Sequence, residues 1–470
     1  MKKNVRLIEA LVPVVILIIL LIINVKIFKD DATYGPNQLA LFFSGFVACL
    51  LGVSLQKVSY KDLENVAISS IKNSLQANLI LLLVGSLIGL WILSGVVPTM
   101  IYYGIQIISP KFFLPTACIL CCFVSLSTGS SWSTGGTVGI ALIGIGAALD
   151  IPLPMVAGAV ISGSYFGDKL SPLSDTTNLA PAMAGANLFE HIRYLLITTV
   201  PAITIAIILF TIVGLKYAPT EVDLTKVQGF LETINSQFKI TPFLFIAPFF
   251  VLFLVYKKIP ALPSMFLGAI LGGILAMIFQ PHLLDTNSYK TIIEVAADGF
   301  KSDSGIKEVD KLFSRGGMSS MLNTVWLIIT AMFFGGMMEA CGYLQKIAGV
   351  LLDFVSGTGS LILATVTSCI FLNVTASDQY LAIVVAGRMF RNAFKQRGLA
   401  AVNLSRSLED GGTVTSVLVP WNSGGAYFSG ILGVPTLAYL PYCFFNILSP
   451  IISVIVGFLG LYIRKGNEAA

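Results

Sequence analysis

The chain has 470 residues, of which 56% are hydrophobic and 11% are charged, and its net charge is +5. Soluble domains carry about 25% charged residues, so this composition excludes an ordinary soluble enzyme. Apolar runs such as the one from Leu7 to Ile23 recur along the chain. Each is long enough to cross a hydrocarbon layer about 30 Å thick. The sequence therefore predicts an all-α polytopic membrane protein.

Charge and residue usage narrow the functional classes further. Excess Lys and Arg in a membrane protein mainly records its topology, so we expect no nucleic-acid partner. His191 and His282 are the only histidines in the sequence. A Ser-His-Asp hydrolase or a metal centre built from histidines is therefore not expected, because the required residues are lacking. The cysteines lie mostly in apolar runs and are interpreted as packing residues. We expect neither an enzyme nor a bound cofactor.

The predicted segments can be oriented by the positive-inside rule. Residues 1–27 resemble a signal peptide but are interpreted as a retained first helix, because the apolar run is too long. We assume that 113–149 and 358–394 are re-entrant hairpins, each entering and leaving on one side. Both termini are then cytoplasmic, and residues 216–239 and 281–316 are external. Apolar segments are predicted near residues 7–28, 37–55, 77–97, 113–128, 134–149, 152–167, 194–215, 240–256, 261–280, 320–341, 358–373, 379–394, 411–432 and 437–463. The basic residues then placed in the cytoplasm are Lys2, Lys3, Arg6, Lys57, Lys61, Lys72, Arg193, Lys257, Lys258, Arg388, Arg391, Lys395, Arg397, Arg406, Arg464 and Lys465.

An internal repeat accompanies this topology. A shift of 247 residues places Cys369, Thr375 and Ser377 on Cys122, Thr128 and Ser130. The two predicted hairpins lie on opposite sides, so the halves form an inverted repeat, as in many secondary transporters. We divide the chain into scaffold helices (1–76), a first repeat (77–215), connecting scaffold helices with an external loop (216–319) and a second repeat (320–470).

Both hairpins turn through polar residues, SLSTGSSWSTGG at 125–136 and NVTASDQ at 373–379. Non-helical backbone cannot face lipid, so these tips must lie in protein or line a watery cavity. Their hydroxyls and carbonyls suit a hard cation. Close helix packing is the alternative for the first tip, and a position at the water interface is the alternative for Asp378 in the second.

Two further segments are too polar for lipid and contain helix-breaking prolines. The first broken helix is predicted over 152–182 and the second over 411–432. Asp168 and Lys169 in the first can simply pair with neighbours, whereas Asp175, flanked by hydroxyl residues, is the better candidate ligand. Asp410 is the counterpart of Asp168 in the second half.

The motifs of these broken segments resemble those of a known family. The run GDKLSPLSDTTN at 167–178 is similar to the signature of the NhaC family of bacterial sodium/proton antiporters, and DGGTVTSVLVPWNSGG at 410–425 resembles its second motif. The resemblance covers essentially the whole chain. It implies exchange of cytoplasmic sodium for external protons, a bacterial inner-membrane location, homodimers, and a transport domain that moves like an elevator against a scaffold.

The family resemblance leads to a specific prediction for the site. Acids are expected to bind sodium when ionised and to take up protons on the other side, with sodium as a substrate and not a cofactor. The predicted sodium ligands are Thr128, Ser130, Asp175, Asn178, Thr375, Asp378 and Asn422. The predicted proton-coupling residues are Asp168, Asp175, Asp378 and Asp410.

Other functions remain open at this point. The same family contains exchangers of sodium-lactate for malate and protons, so small organic acids are alternative substrates. An intramembrane arginine would favour such a carrier, but the basic residues after the second hairpin are predicted to be cytoplasmic. A channel is disfavoured by the two-halved plan, and a hydrolase by the lack of a suitably placed histidine.

Overall fold

A computed structural model describes residues 5–28, 32, 34–107, 109–217, 224–257, 259–353 and 355–466. The regular secondary structure of this part of the chain is helical, apart from one antiparallel bridge between Leu399 and Lys465. It contains 8 helices long and apolar enough to cross a membrane, or up to 10 if two bent helix pairs each count as one span. The prediction of an all-helical, polytopic chain is thereby confirmed. Lys2, Lys3 and Lys258 lie outside the described residues.

The helices are numbered in chain order. Those of the first half are α1 (Leu7–Phe28), α2 (Pro36–Ser54), α3 (Tyr60–Leu93), α4 (Val96–Ile107), α5 (Phe113–Thr128), α6 (Ser131–Thr134), α7 (Ile140–Ala148), α8 (Leu153–Leu170), α9 (Asp175–Ala184), α10 (Leu188–Tyr217) and α11 (Leu224–Gln237). Those of the second half are α12 (Ile246–Tyr256), α13 (Ala261–Phe279), α14 (Ser288–Asp298), α15 (Lys307–Phe313), α16 (Leu322–Ala340), α17 (Tyr343–Asp353), α18 (Thr358–Thr375), α19 (Gln379–Gln396), α20 (Ala401–Leu408), α21 (Ser423–Leu432), α22 (Thr436–Tyr439) and α23 (Phe444–Phe458).

The helices pack in two groups. In the first, α3 contacts α13, α14 and α16, while α2 contacts α1 and α16. In the second, α8 packs on α5, α10 and α23, and α18 packs on α19, α20 and α23. Helix α21, which follows the second helix break, contacts both α3 and α16 of the first group. The second helix break therefore lies next to the first group.

Small residues allow close approach at both polar turns. Gly129 ends α5 with a φ of 67°, and a Cβ built there would lie 2.5 Å from the Cβ of Leu173. Such a φ is favourable for glycine, which has no Cβ. In the second turn, Ser377 adopts a φ of 60°, and the Ala376 carbonyl oxygen would lie 2.6 Å from a Cβ on Gly335. The first tip is therefore packed against the break between α8 and α9, and the second tip against α16.

Both broken helices are present, with boundaries that partly differ from the predictions. The first consists of α8 and α9 around residues 171–174, where Pro172 cannot donate a backbone hydrogen bond. The second begins at Ala401, ten residues before the predicted start at 411, and its middle is non-α-helical between α20 and α21. The polar and charged residues of α20 concealed this helix in the sequence. Short π-helical stretches occupy Gly135–Gly139 and Glu409–Thr413.

The start of α3 also differs from the prediction. Residues 57–76 were predicted to be a basic loop followed by a helix from residue 77, but one helix runs from Tyr60 to Leu93. The predicted domain boundary at 76/77 falls inside this helix. Because Lys61, Asn65 and Lys72 break the apolar pattern, hydropathy alone placed the helix start too late.

Candidate functional site

A cavity of about 710 Å³ lies between the two hairpin tips, the two helix breaks and α3. Its wall is predominantly made of polar residues, which suits a hydrated ion or a small polar solute. Its lining residues are Asn73, Ser74, Gln76, Ile80, Thr128, Gly129, Ser130, Trp132, Ser133, Asp168, Leu173, Ser174, Asp175, Thr176, Ile259, Pro260, Asp378, Gln379, Tyr380 and Ser423. Residues from both predicted repeats therefore share one space.

Asp168 ties the first hairpin tip to the first broken helix. Its Oδ2 accepts hydrogen bonds from the Ser131 backbone N–H at 3.2 Å and from the Ser131 hydroxyl at 2.6 Å. The residue is only 8% exposed, yet it lines the cavity. Asp168 therefore holds the tip and also presents its carboxyl group to the cavity.

Asp378 plays the corresponding role in the second half. Its Oδ1 accepts the backbone N–H of Leu381 at 3.0 Å and so caps α19, as short polar side chains do at helix starts. Its Oδ2 accepts the hydroxyl proton of Ser423 at 3.2 Å. Each hairpin tip is thus joined to its broken helix by a hydrogen bond between a serine and an aspartate.

Asp175 differs from these two acids because it has no hydrogen bond or ion pair within the described residues. It is the first residue of α9 and is exposed to the cavity. A free, hydrated carboxylate can coordinate an incoming cation without first losing a protein partner. The three acids together bring carboxyl groups from both halves of the chain to one cavity.

The predicted neutral ligands divide into two sets. Thr128 and Ser130 line the cavity, and the Ser130 hydroxyl also accepts the Ser133 backbone N–H at 3.1 Å. Asn178, Thr375 and Asn422 are not among the lining residues, and their side chains hydrogen-bond to backbone carbonyls instead. Asn178 donates to the Ser174 carbonyl at 2.7 Å, Thr375 to the Phe371 carbonyl at 2.8 Å, and Asn422 to the Asn373 carbonyl at 3.0 Å.

Asp410 lies outside the cavity, in a separate buried cluster. It forms an ion pair with Lys169, and both side chains are fully buried. The hydroxyls of Ser449 and Thr198 donate to the same carboxylate oxygen at 2.8 and 3.2 Å. The structure therefore shows the alternative raised from the sequence, in which Lys169 pairs with a neighbouring acid. The ion pair joins the two broken helices.

Sequence reasoning missed a polar stripe on α3. Asn65, Ser69, Asn73 and Gln76 are spaced at helical intervals and lie on one face. They line the large cavity and a second one of about 460 Å³, which shares Asn73, Asp378 and Tyr380 with the first. A count of polar residues at i, i+4, i+8 and i+11 would have found the stripe.

Comparison with known proteins places this architecture in a family. The family model described as "Na+/H+ antiporter family" matches residues 163–461, a range that holds the second half of α8, α9, the second hairpin and the second broken helix. The chain belongs to the Na+/H+ antiporter family. The resemblance noted in the sequence is thereby confirmed.

Three relatives show how wide the antiporter family's substrates are. A "Malate-2H(+)/Na(+)-lactate antiporter" of Bacillus subtilis is 40% identical over 94% of this chain and 92% of its own. A "Na(+)/H(+) antiporter NhaC" of Alkalihalophilus pseudofirmus is 39% identical over 90% and 91%. An "Arginine/ornithine antiporter ArcD" of Halobacterium salinarum is 34% identical over 98% and 94%. Family membership indicates a transporter, and the transported solutes named for these relatives differ.

The predicted location of Arg406 in this antiporter is wrong. The sequence placed it in a basic cytoplasmic loop, but it is 0% exposed within α20. Its guanidinium lies 4.7 Å from the centroid of the Tyr194 ring, and none of its nitrogens has a hydrogen-bond partner in the described residues. A buried arginine therefore exists, and one reason for disfavouring organic anions is lost. Arg406 nevertheless lines neither cavity.

The α3 stripe gives a direct test of water access in this antiporter. We expect Ser69→Cys and Asn73→Cys to react with a water-soluble thiol reagent about tenfold or more faster than Leu79→Cys, because only a hydrated thiol ionises readily. Leu79 is the matched control, since it lies in the apolar part of α3 and is 51% exposed but lines neither cavity. The native cysteines in the described residues are all buried, which keeps the background low. Equal rates at the three positions would show that the stripe is not hydrated.

Proposed function

We propose that this protein exchanges cytoplasmic sodium for external protons at the large cavity. The observation that carries the proposal is that Asp168, Asp175 and Asp378 line one space together with the hydroxyls of Thr128 and Ser130. Oxygen ligands of this kind suit a hard cation. The same carboxylates bind protons when sodium has left, so the two ions compete for one set of groups. Relatives named as Na+/H+ antiporters support this assignment.

Coupling follows from competition at the cavity. A carboxylate that holds sodium cannot hold a proton at the same oxygen, so each crossing carries one or the other. Asp175 is the first contact for the incoming ion because it has no protein partner, and Asp168 and Asp378 complete the site. Each of these two acids also bonds a serine next to a hairpin tip or helix break, so ion binding is linked to how the tips are held.

Movement of the site across the membrane is a further part of the proposal. We infer that the halves are inverted repeats and that the second packing group, with both hairpins, moves like an elevator against the group containing α2, α3 and α16. The large cavity lies between the two groups, which supports this division. The proposal includes a homodimer in the bacterial inner membrane, with both termini in the cytoplasm.

Exchange of organic acids is the second candidate function. The cavity volume of about 710 Å³ far exceeds that of a water molecule, which takes up about 30 Å³ in the liquid. It therefore has room for a small acid together with its counter-ion. The relative named as a malate-2H(+)/Na(+)-lactate antiporter supports this candidate.

One experiment separates the two candidates. The purified protein is reconstituted in liposomes that contain a pH dye, and sodium is added alone and then with lactate or malate. We expect sodium alone to move protons at a rate well above that of protein-free liposomes. Proton movement that appears only with an organic acid would reject simple sodium/proton exchange and favour the second candidate.

A further inference from the structure

A buried carboxyl group lies next to the cavity without lining it. Glu409 begins the π-helical stretch Glu409–Thr413 and is 0% exposed. Its Oε1 accepts a hydrogen bond from the Thr176 hydroxyl at 3.2 Å, and its Oε2 has no partner in the described residues. Short π-helical segments occur frequently at functional sites, because they displace side chains from regular helical positions.

A chain of hydroxyls connects Glu409 to the cavity. Thr176 and Ser174 both line the cavity, and their hydroxyl oxygens lie 3.2 Å apart. A hydroxyl both donates and accepts hydrogen bonds, so two hydroxyls in contact form a route along which a proton can pass. The route spans both halves of the chain, because Thr176 and Glu409 are separated by 233 residues.

The surroundings of Glu409 favour its neutral form. The nearby ammonium of Lys169 is already paired with Asp410, and no cation forms an ion pair with Glu409 in the described residues. A buried carboxylate with an unpartnered oxygen costs far more free energy than the protonated group, which carries no charge. The elements packed against this stretch are α9, α18, α19, α20 and α23. Their other charged or titratable residues are Asp175 on α9, Cys369 on α18, Tyr380, Arg388, Arg391 and Lys395 on α19, and Arg406 on α20. Asp168 and Lys169 on α8, the adjacent Asp410, and His191 on α10, which bonds Ser405 of α20, also lie nearby.

We propose that Glu409 carries one proton of the exchange cycle and exchanges it with the cavity through the hydroxyls of Thr176 and Ser174. This inference rests on the proposed function and adds to it a proton site apart from the sodium ligands. The Thr176 hydroxyl first rotates its proton from Glu409 toward Ser174. The Glu409 O–H bond then breaks as its proton passes to the Thr176 oxygen, while Thr176 passes its own proton to Ser174. Ser174 delivers a proton to cavity water or to a cavity carboxylate, and the electron pair stays on Glu409.

The decisive measurement is the number of protons exchanged per sodium ion. It is obtained in liposomes from the combination of pH gradient, sodium gradient and membrane potential at which net exchange stops. We expect Glu409→Gln to exchange one proton fewer per sodium than the unaltered protein, with sodium affinity within about twofold because Glu409 does not line the cavity. Glu409→Asp retains the carboxyl and should keep the original ratio. Glu232→Gln, an exposed change on α11, is the matched control.

The route is tested separately by Thr176→Val, which removes one hydroxyl while keeping the shape of the side chain. We expect proton movement to slow by about 100-fold, the lower end of what a positioned proton-transfer group contributes, with the proton-to-sodium ratio unchanged. Normal speed would overturn the hydroxyl route. This variant also tests the proposal if Glu409→Gln does not fold.

Other results would overturn or support the role of Glu409. An unchanged ratio in folded Glu409→Gln overturns the role of Glu409, and so does loss of sodium/sodium counterflow, since Glu409 would then be needed for sodium binding itself. If the unaltered protein moves protons only with an organic acid, the proposed function fails. The ratio is then measured on that exchange, and a loss of one proton in Glu409→Gln still supports the proton site.

Discussion

Replacing Lys169 with methionine is expected to destabilise the folded protein by about 3–5 kcal/mol. The substitution leaves Asp410, which is fully buried, without the ammonium group that balances its charge. Hydrogen bonds from Ser449 and Thr198 remain, but they do not replace a charge. The measurement is the thermal midpoint of the detergent-solubilised protein, followed by size-exclusion chromatography.

Two further variants isolate the effect of the ion pair. The double variant Lys169→Met with Asp410→Leu should recover most of the lost stability, because a buried pair replaced by apolar side chains is often neutral or stabilising. Lys290→Met removes a surface pair with Glu294 at 3.6 Å and should change stability by less than about 0.5 kcal/mol. A double variant as unstable as the single one would show that packing, and not charge balance, explains the loss.

Replacing Asp175 with asparagine is expected to weaken sodium binding by about 10- to 100-fold, and sodium-driven proton movement should fall with it. The basis is the loss of one charged ligand, worth about 1.5–3 kcal/mol. Because Asp175 is exposed and has no partner in the described residues, the thermal midpoint should hardly change. Sodium binding is measured by calorimetry, and proton movement in the liposomes with the pH dye.

The matched control for this change is Asp62→Asn, which removes the same charge from an exposed position in the first turn of α3. Asp62 lines neither cavity, so exchange should proceed at the original rate. If Asp175→Asn exchanges sodium for protons as fast as Asp62→Asn does, Asp175 is not a ligand. The site would then depend on Asp168 and Asp378, which are both tied to serines.

The acids differ in their contacts. Asp168 and Asp378 hydrogen-bond residues of the hairpin tips and broken helices, whereas Asp175 has no such bond in the described residues, and we propose that it responds to the ion. Asp410 is neutralised by Lys169 and joins the two broken helices. The acids therefore differ in role although the sequence presents them all in similar polar, glycine-rich surroundings.

Much of the architecture could be read from the sequence because lipid permits few alternatives. A backbone in hydrocarbon must satisfy its own hydrogen bonds, so long apolar runs predicted helices, and polar runs within them predicted tips and breaks. The positions of α5, α8, α9, α18 and α19 agree closely with those predictions. The start of α3 and the whole of α20 were missed, because polar side chains that face a cavity or the protein interior interrupt the apolar pattern.

The residue pattern was enough to predict a helical membrane protein of the Na+/H+ antiporter family with acids at its helix interruptions. The folded arrangement was needed to show that Asp168, Asp175 and Asp378 share a cavity. It was also needed to show which distant residues meet, such as Lys169 and Asp410 across 241 residues and Thr176 and Glu409 across 233. It also showed that Arg406 is buried, where its charge pattern predicted a cytoplasmic loop. The physical reason is that hydropathy and helical spacing report on each segment alone, whereas burial and charge pairing arise when distant segments pack together.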